Sequence, residues 1–177
     1  MTLNRRHWLW PSCLGLCLLG SPALGQDAGS GEPEIVRPLS ESDSLLSYQG
    51  GEKLLAEAES AISDEKYELA ATKLQQARQV FNQLTNFYLD LANSFSGIEN
   101  RIYEEQRQSA AQTGQKRDEA TYKLALVHRA EDKPELAVPL LIQVIRSQNP
   151  TTELGKKSYQ QLYELGFVGT SLEPADN

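Results

Sequence analysis

Between Tyr67 and Ile102, every third or fourth residue is apolar or aromatic: Tyr67, Ala70, Leu74, Ala77, Phe81, Leu84, Tyr88, Leu91, Phe95, Ile98 and Ile102. The steps alternate 3-4-3-4, which puts all of them on one stripe of an α-helix. Lys73, Gln75, Gln76, Arg78, Gln83 and Asn86 fall on the other faces. Unbroken, the helix is roughly 50 Å long at about 1.5 Å per residue. Leaving the stripe in water forgoes roughly 15–30 kcal/mol of gross burial, at about 1.5–3 kcal/mol per large apolar side chain. It therefore has to pack on something. The other patterned segments also read as helices, so the expected fold class is all-α.

The chain has 177 residues, enough for one domain with a core. Its front end stands apart. A basic stretch, Met1 to Arg6, precedes an apolar run from Trp8 to Leu19, interrupted by Pro11 and followed by Ala23-Leu24-Gly25. This predicts a bacterial secretory signal peptide over 1–25, cleaved before Gln26, with an apolar run too short for a membrane span. Neither Cys13, after Trp10-Pro11-Ser12, nor Cys17, after Leu16, has the lead-in of a lipoprotein signal. Arg5-Arg6-His7-Trp8-Leu9 loosely resembles a twin-arginine signal, so both export routes stay open.

Cleavage removes both Cys, both Trp, the only Met and His7. Arg5 and Arg6 leave and no acid does, so the formal charge moves from −7 to −9. That acidity argues against nucleic acid or an anionic membrane surface as partner.

Residues 26–41 carry Gly, Pro, Ser and acids and are expected to be a disordered linker. The helical domain is expected over 42–167 and a disordered tail over 168–177. A first helix should start near Ser42 or Asp43, weakened at Gly50-Gly51, and end before Ser63-Asp64-Glu65-Lys66. The long helix follows, continuous to at least Ala92, with a break near Ser94 to Gly97. The Gln-rich stretch from Arg101 is expected to be a solvated helix ending at Gly114, followed by a separate helix from Asp118 to Ala130. Pro134 opens the next helix, and Pro139 predicts a kink in its first turn. A last helix should reach about Leu165, with Gly166 as a left-handed cap and Phe167 folding back on it.

Several of these residues resemble a tetratricopeptide repeat, a helix pair of about 34 residues. With Ala70 at the small position of the second helix, Leu54 and Ala58 match the first helix and Leu74 and Ala77 the second. Asp64-Glu65-Lys66-Tyr67 resembles the acidic-plus-aromatic turn. With Ala137 placed likewise, Leu124, Ala125, Leu141 and Val144 match, and Ala70 and Ala137 lie 67 residues apart. Between them, Tyr88, Leu91, Ala92 and Phe95 fit a first helix, but Glu104 and Gln108 fit the second poorly. The resemblance implies a TPR-like array with one long central helix and a C-terminal capping helix. It also implies a concave partner-binding face showing Glu119, Tyr122, Leu126 and Arg129, with Leu55 and Glu59 (beside Glu52) from the first repeat. Tyr122 and Leu126 stand where the family's carboxylate clamp has Lys and Asn, which leaves a mixed apolar groove for a helix or strand.

Chemistry-bearing groups are sparse. One histidine (His128) and no cysteine in the mature chain exclude the common zinc, thiol and Ser-His-Asp sites, and no catalytic residue, metal or cofactor is expected. His128 reads as a packing residue. The pairs Glu57/Glu59, Glu104/Glu105 and Glu131/Asp132 read as solvated surface. Tyr67, Phe81, Tyr88 and Phe95 read as core rather than as a ligand groove.

The functional expectation is an exported, non-enzymatic adaptor or scaffold that binds another protein in an envelope or lumenal complex. One alternative is a structural protein that self-associates through the 67–102 stripe in a coiled-coil-like way. Another is a binder of a small apolar ligand. The run Lys133-Pro134-Glu135-Leu136-Ala137-Val138-Pro139-Leu140-Leu141 and the following Arg146-Ser147-Gln148-Asn149-Pro150 resemble small exported helical proteins of cyanobacteria. That resemblance implies the periplasm or thylakoid lumen.

Overall fold

The computed structural model describes residues 44–172. The expected signal peptide, the linker and the end of the tail lie outside the described residues. Within them the chain forms five α-helices and no strand: α1 Tyr48–Ser63, α2 Tyr67–Phe95, α3 Asn100–Ala130, α4 Pro134–Gln148 and α5 Glu153–Glu164. Each helix packs against the next, and narrower contacts join α1 to α3 and α3 to α5.

The stripe is buried where the chain can cover it. Ala70, Leu74, Ala77, Phe81 and Leu84 are buried in one cluster with Leu54, Leu55 and Ala58 of α1 and Ala120, Leu124 and Val127 of α3. Beyond Leu84 the stripe frays. Tyr88, Leu91 and Phe95 are only half-buried, and Ile98 is 77% exposed. The reason is length: α1 has 16 residues while α2 and α3 have 29 and 31, so among the described residues their far ends have only each other. Within this two-helix arm Thr85 and Thr113 are buried, and their hydroxyls meet at 3.0 Å. A second cluster joins Ala125, Ala137, Leu141 and Leu162 of α3, α4 and α5.

The break expected near Ser94 to Gly97 is present: α2 ends at Phe95, and Gly97 takes a positive φ of 76°. Three other expectations are corrected. The first helix starts at Tyr48, not at Ser42 or Asp43, because Ser47 caps it by accepting a hydrogen bond from the Gly50 amide at 2.9 Å. Gly114 ends nothing. A single helix runs from Asn100 to Ala130, because Gly114 sits opposite Thr85 and packing on α2 outweighs the propensity cost of one glycine. Phe167 folds back through its backbone, but its side chain is more than half exposed.

Three helices end in the same way. Lys66 N donates to Ala61 O (2.8 Å), Lys133 N to His128 O (2.9 Å) and Phe167 N to Leu162 O (3.0 Å). The residues just before these donors, Glu65, Asp132 and Gly166, have φ of 59°, 58° and 77°. Each donates to a carbonyl three residues back, the second bond of a Schellman motif. The corresponding C-caps, Asp64, Glu131 and Leu165, are thus spaced by 67 and then by 34 residues.

Candidate partner-binding face

Beside the shared core, two ion pairs join α1 to α3. Lys116 reaches Glu52 at 3.3 Å, and Lys123 donates to Glu59. Both pairs are separated by 64 residues in sequence, so α1 and α3 run parallel and in register. Glu119 sits between the two lysines, 3.5 Å from Lys116 and 2.9 Å from Lys123. Partial burial raises the Glu119 carboxyl, but the Lys123 and Lys116 ammoniums outweigh it and hold the group below its ordinary 4.5. Burial likewise pulls both lysines down, and their glutamates hold them above the usual lysine value.

The other flank of α3 is tied to α5, where Arg129 donates to Gln161 and to Glu164 (2.5 Å). The Arg129 hydrogen bond depresses the Glu164 carboxyl. Tyr122 is half-buried against the second cluster, and its phenol is raised by burial and then by Glu164. Leu126 is half-buried and helps line an apolar cleft of about 130 Å³ with Ile62, Tyr67 and Val127.

The six residues expected to bind a partner therefore divide. Glu119, Tyr122, Leu126 and Arg129 lie along α3 between α1 and α5, two helices that do not pack on each other. Glu59 stands at the α1 edge, on Lys123. Leu55 is 5% exposed in the core, with no surface to offer a partner. Reading the sequence missed Lys116 and Lys123, which tie this face together. Their signal was available, since Lys116, Glu119 and Lys123 alternate in charge at i, i+3 and i+7.

His128 is buried, and its Nδ1 lies 3.1 Å from Glu131 Oε2. That contact, helped by Lys133, lowers the Glu131 carboxyl. A larger open cleft of about 500 Å³ lies between α1 and α2, with Leu45, Leu46, Leu54 and Val80 as its apolar surface and Lys53, Glu57 and Lys73 at its rim. No described helix is long and apolar enough to cross a membrane. Comparison with family models, curated proteins and solved structures found no match.

Proposed function

We propose that this chain is an exported, non-enzymatic helical-repeat protein that holds another protein, as adaptor or scaffold, in the periplasm or thylakoid lumen. The partner is an apolar helix or strand lying along α3 between α1 and α5. The observation that carries this reading is the spacing of the three helix-ending turns. The step of 34 residues equals one tetratricopeptide unit, and 67 is one short of two. The odd-numbered helices then take first-helix positions, the ones that present a concave face in such arrays, with a double step from α1 to α3, and α5 takes the capping position. Half-buried Tyr122 and Leu126 on that face, between ionic edges, suit a mixed apolar groove.

The test is capture of a protein from an extract of the exported compartment by the purified chain and by the Tyr122→Ala/Leu126→Ala variant. Wild type should retain a partner, and the variant should lose it with helical circular dichroism unchanged. Equal capture by both sinks the reading.

A self-associating structural protein is a second reading, favoured by the exposure of Phe87 and Ile98 on the α2–α3 arm. Light scattering across a hundredfold dilution separates the two: a dimer that dissociates on dilution favours self-association, and a constant monomer favours the adaptor.

A further inference from the structure

The face formed by the even-numbered helices carries different chemistry. Gln75, Arg78, Gln79 and Asn82 recur at helical spacing along α2 and point into an open cleft of about 380 Å³. Arg117 of α3 and Gln143 of α4 complete the lining. Every one of these side chains is a cation or an amide, and among the described residues no acid lines the cleft, although the chain as a whole carries −7.

The two arginines are held differently. Arg78 donates one Nη2 bond, 2.8 Å, to the neutral Gln143 Oε1 and has no carboxylate partner among the described residues. Arg117 is fixed from behind. Its Nε and Nη2 bind the buried Asp118 carboxylate at 2.8 and 3.1 Å, and Nη2 also reaches Ser147 at 2.8 Å. Asp118 in turn accepts from Ser147 at 2.5 Å and Gln148 at 2.7 Å. The Arg117 guanidinium is thus oriented at no cost to a ligand, with Nη1 outside these bonds. Arginines with fixed forks and uncommitted donors are the groups that recognise oxyanions.

We infer that the α2–α4 cleft binds a small organic oxyanion, a phosphate or carboxylate group carried on a hydroxylated body. The oxyanion sits between Arg78 and Arg117, and Gln75, Gln79 and Asn82 bond the hydroxyls. The volume is that of a small-ligand site and far exceeds a bare phosphate. This site is separate from the partner face and does not rest on it.

The experiment is calorimetric titration of the full purified chain with glucose 6-phosphate, gluconate, inorganic phosphate and glucose. The first or the second should bind saturably, roughly tenfold or more tightly than inorganic phosphate, and glucose should not bind. Which of the two binds tells phosphate from carboxylate. Arg78→Gln should weaken binding roughly tenfold or more. Gln143→Glu should abolish it, because the new carboxylate pairs with Arg78 where the amide oxygen already accepts. It removes no contact, so it also reports if Arg78→Gln does not fold. No saturable binding by any probe, binding of phosphate as tight as the sugar ligands, or unchanged binding by a folded Gln143→Glu overturns the inference.

Discussion

Gly51 lies directly against the ring of Phe81. A Cβ on Gly51 would come within 2.5 Å of Phe81 Cζ, and the ring also meets Tyr48 edge-on at 5.8 Å between centroids. The glycine that weakens α1 by propensity is therefore what lets α1 lie close to α2. Gly51→Ala should destabilise by about 1–3 kcal/mol through overpacking, beyond the roughly 1 kcal/mol gained in helix propensity. Urea unfolding measures it, and Phe81→Leu in the same chain should recover part of the loss. A more stable Gly51→Ala protein contradicts this packing.

Gly114 makes the opposite prediction. The nearest atom a Cβ would meet is the Thr85 methyl at 3.8 Å, an ordinary contact. Gly114→Ala should stabilise by about 0.5–1 kcal/mol. A destabilised variant would mean that α3 breaks at this point after all.

Asp118 is fully buried, and three side chains donate to it. Asp118→Ala leaves Arg117, Ser147 and Gln148 without their acceptor and should cost about 3 kcal/mol, since Arg117 reaches some water. Asp118→Asn keeps one acceptor oxygen and should cost about 1–2 kcal/mol. Hydrogen exchange should quicken over the last turn of α4 in both variants, while amides of α1 keep their relative protection. Equal acceleration everywhere would show that Asp118 does not anchor α4 in particular.

The pH dependence follows from the carboxylates. Glu57, Glu119, Glu131 and Glu164 are all held below 4.5 by basic or hydrogen-bonding neighbours. A depressed carboxyl stabilises the fold above its unfolded value, and the contribution is lost as pH falls through the folded one. The melting temperature should therefore hold from neutrality to about pH 5 and fall below about pH 4.5. Glu119→Gln should lower the plateau and shrink the acid drop. A drop of undiminished size would remove Glu119 from this account.

Helix existence was legible wherever apolar periodicity was strong, as over Tyr67 to Leu84, and Gly97 and Pro134 marked their boundaries. The continuity of α3 was not, because its first half shows few apolar residues and Gly114 reads locally as a stop, so two helices were expected where one runs from Asn100 to Ala130. What joins it is the facing helix, through Thr85 against Thr113 and Gly114. The start of α1 was misplaced because Ser42, Asp43 and Ser47 are all residue types that can cap a helix, and it is the Ser47 hydroxyl that accepts from the Gly50 amide.

Of the proposed partner face, Glu119, Tyr122, Leu126 and Arg129 were legible only through the tetratricopeptide resemblance. The burial of Leu55 was not, since it depends on where α2 lies. The sequence by itself determined the all-helical class, the long stripe and the turns after Ser63 and Ala130, because periodicity and capping are local properties. Tertiary structure alone decided that, among the described residues, the stripe is fully covered only as far as Leu84, because coverage depends on the reach of α1. It also decided that Lys123 meets Glu59 and that Arg78 faces Gln143, pairs 64 and 65 residues apart in sequence. Contacts at such separations are set by how helices stack and leave no local pattern in the chain.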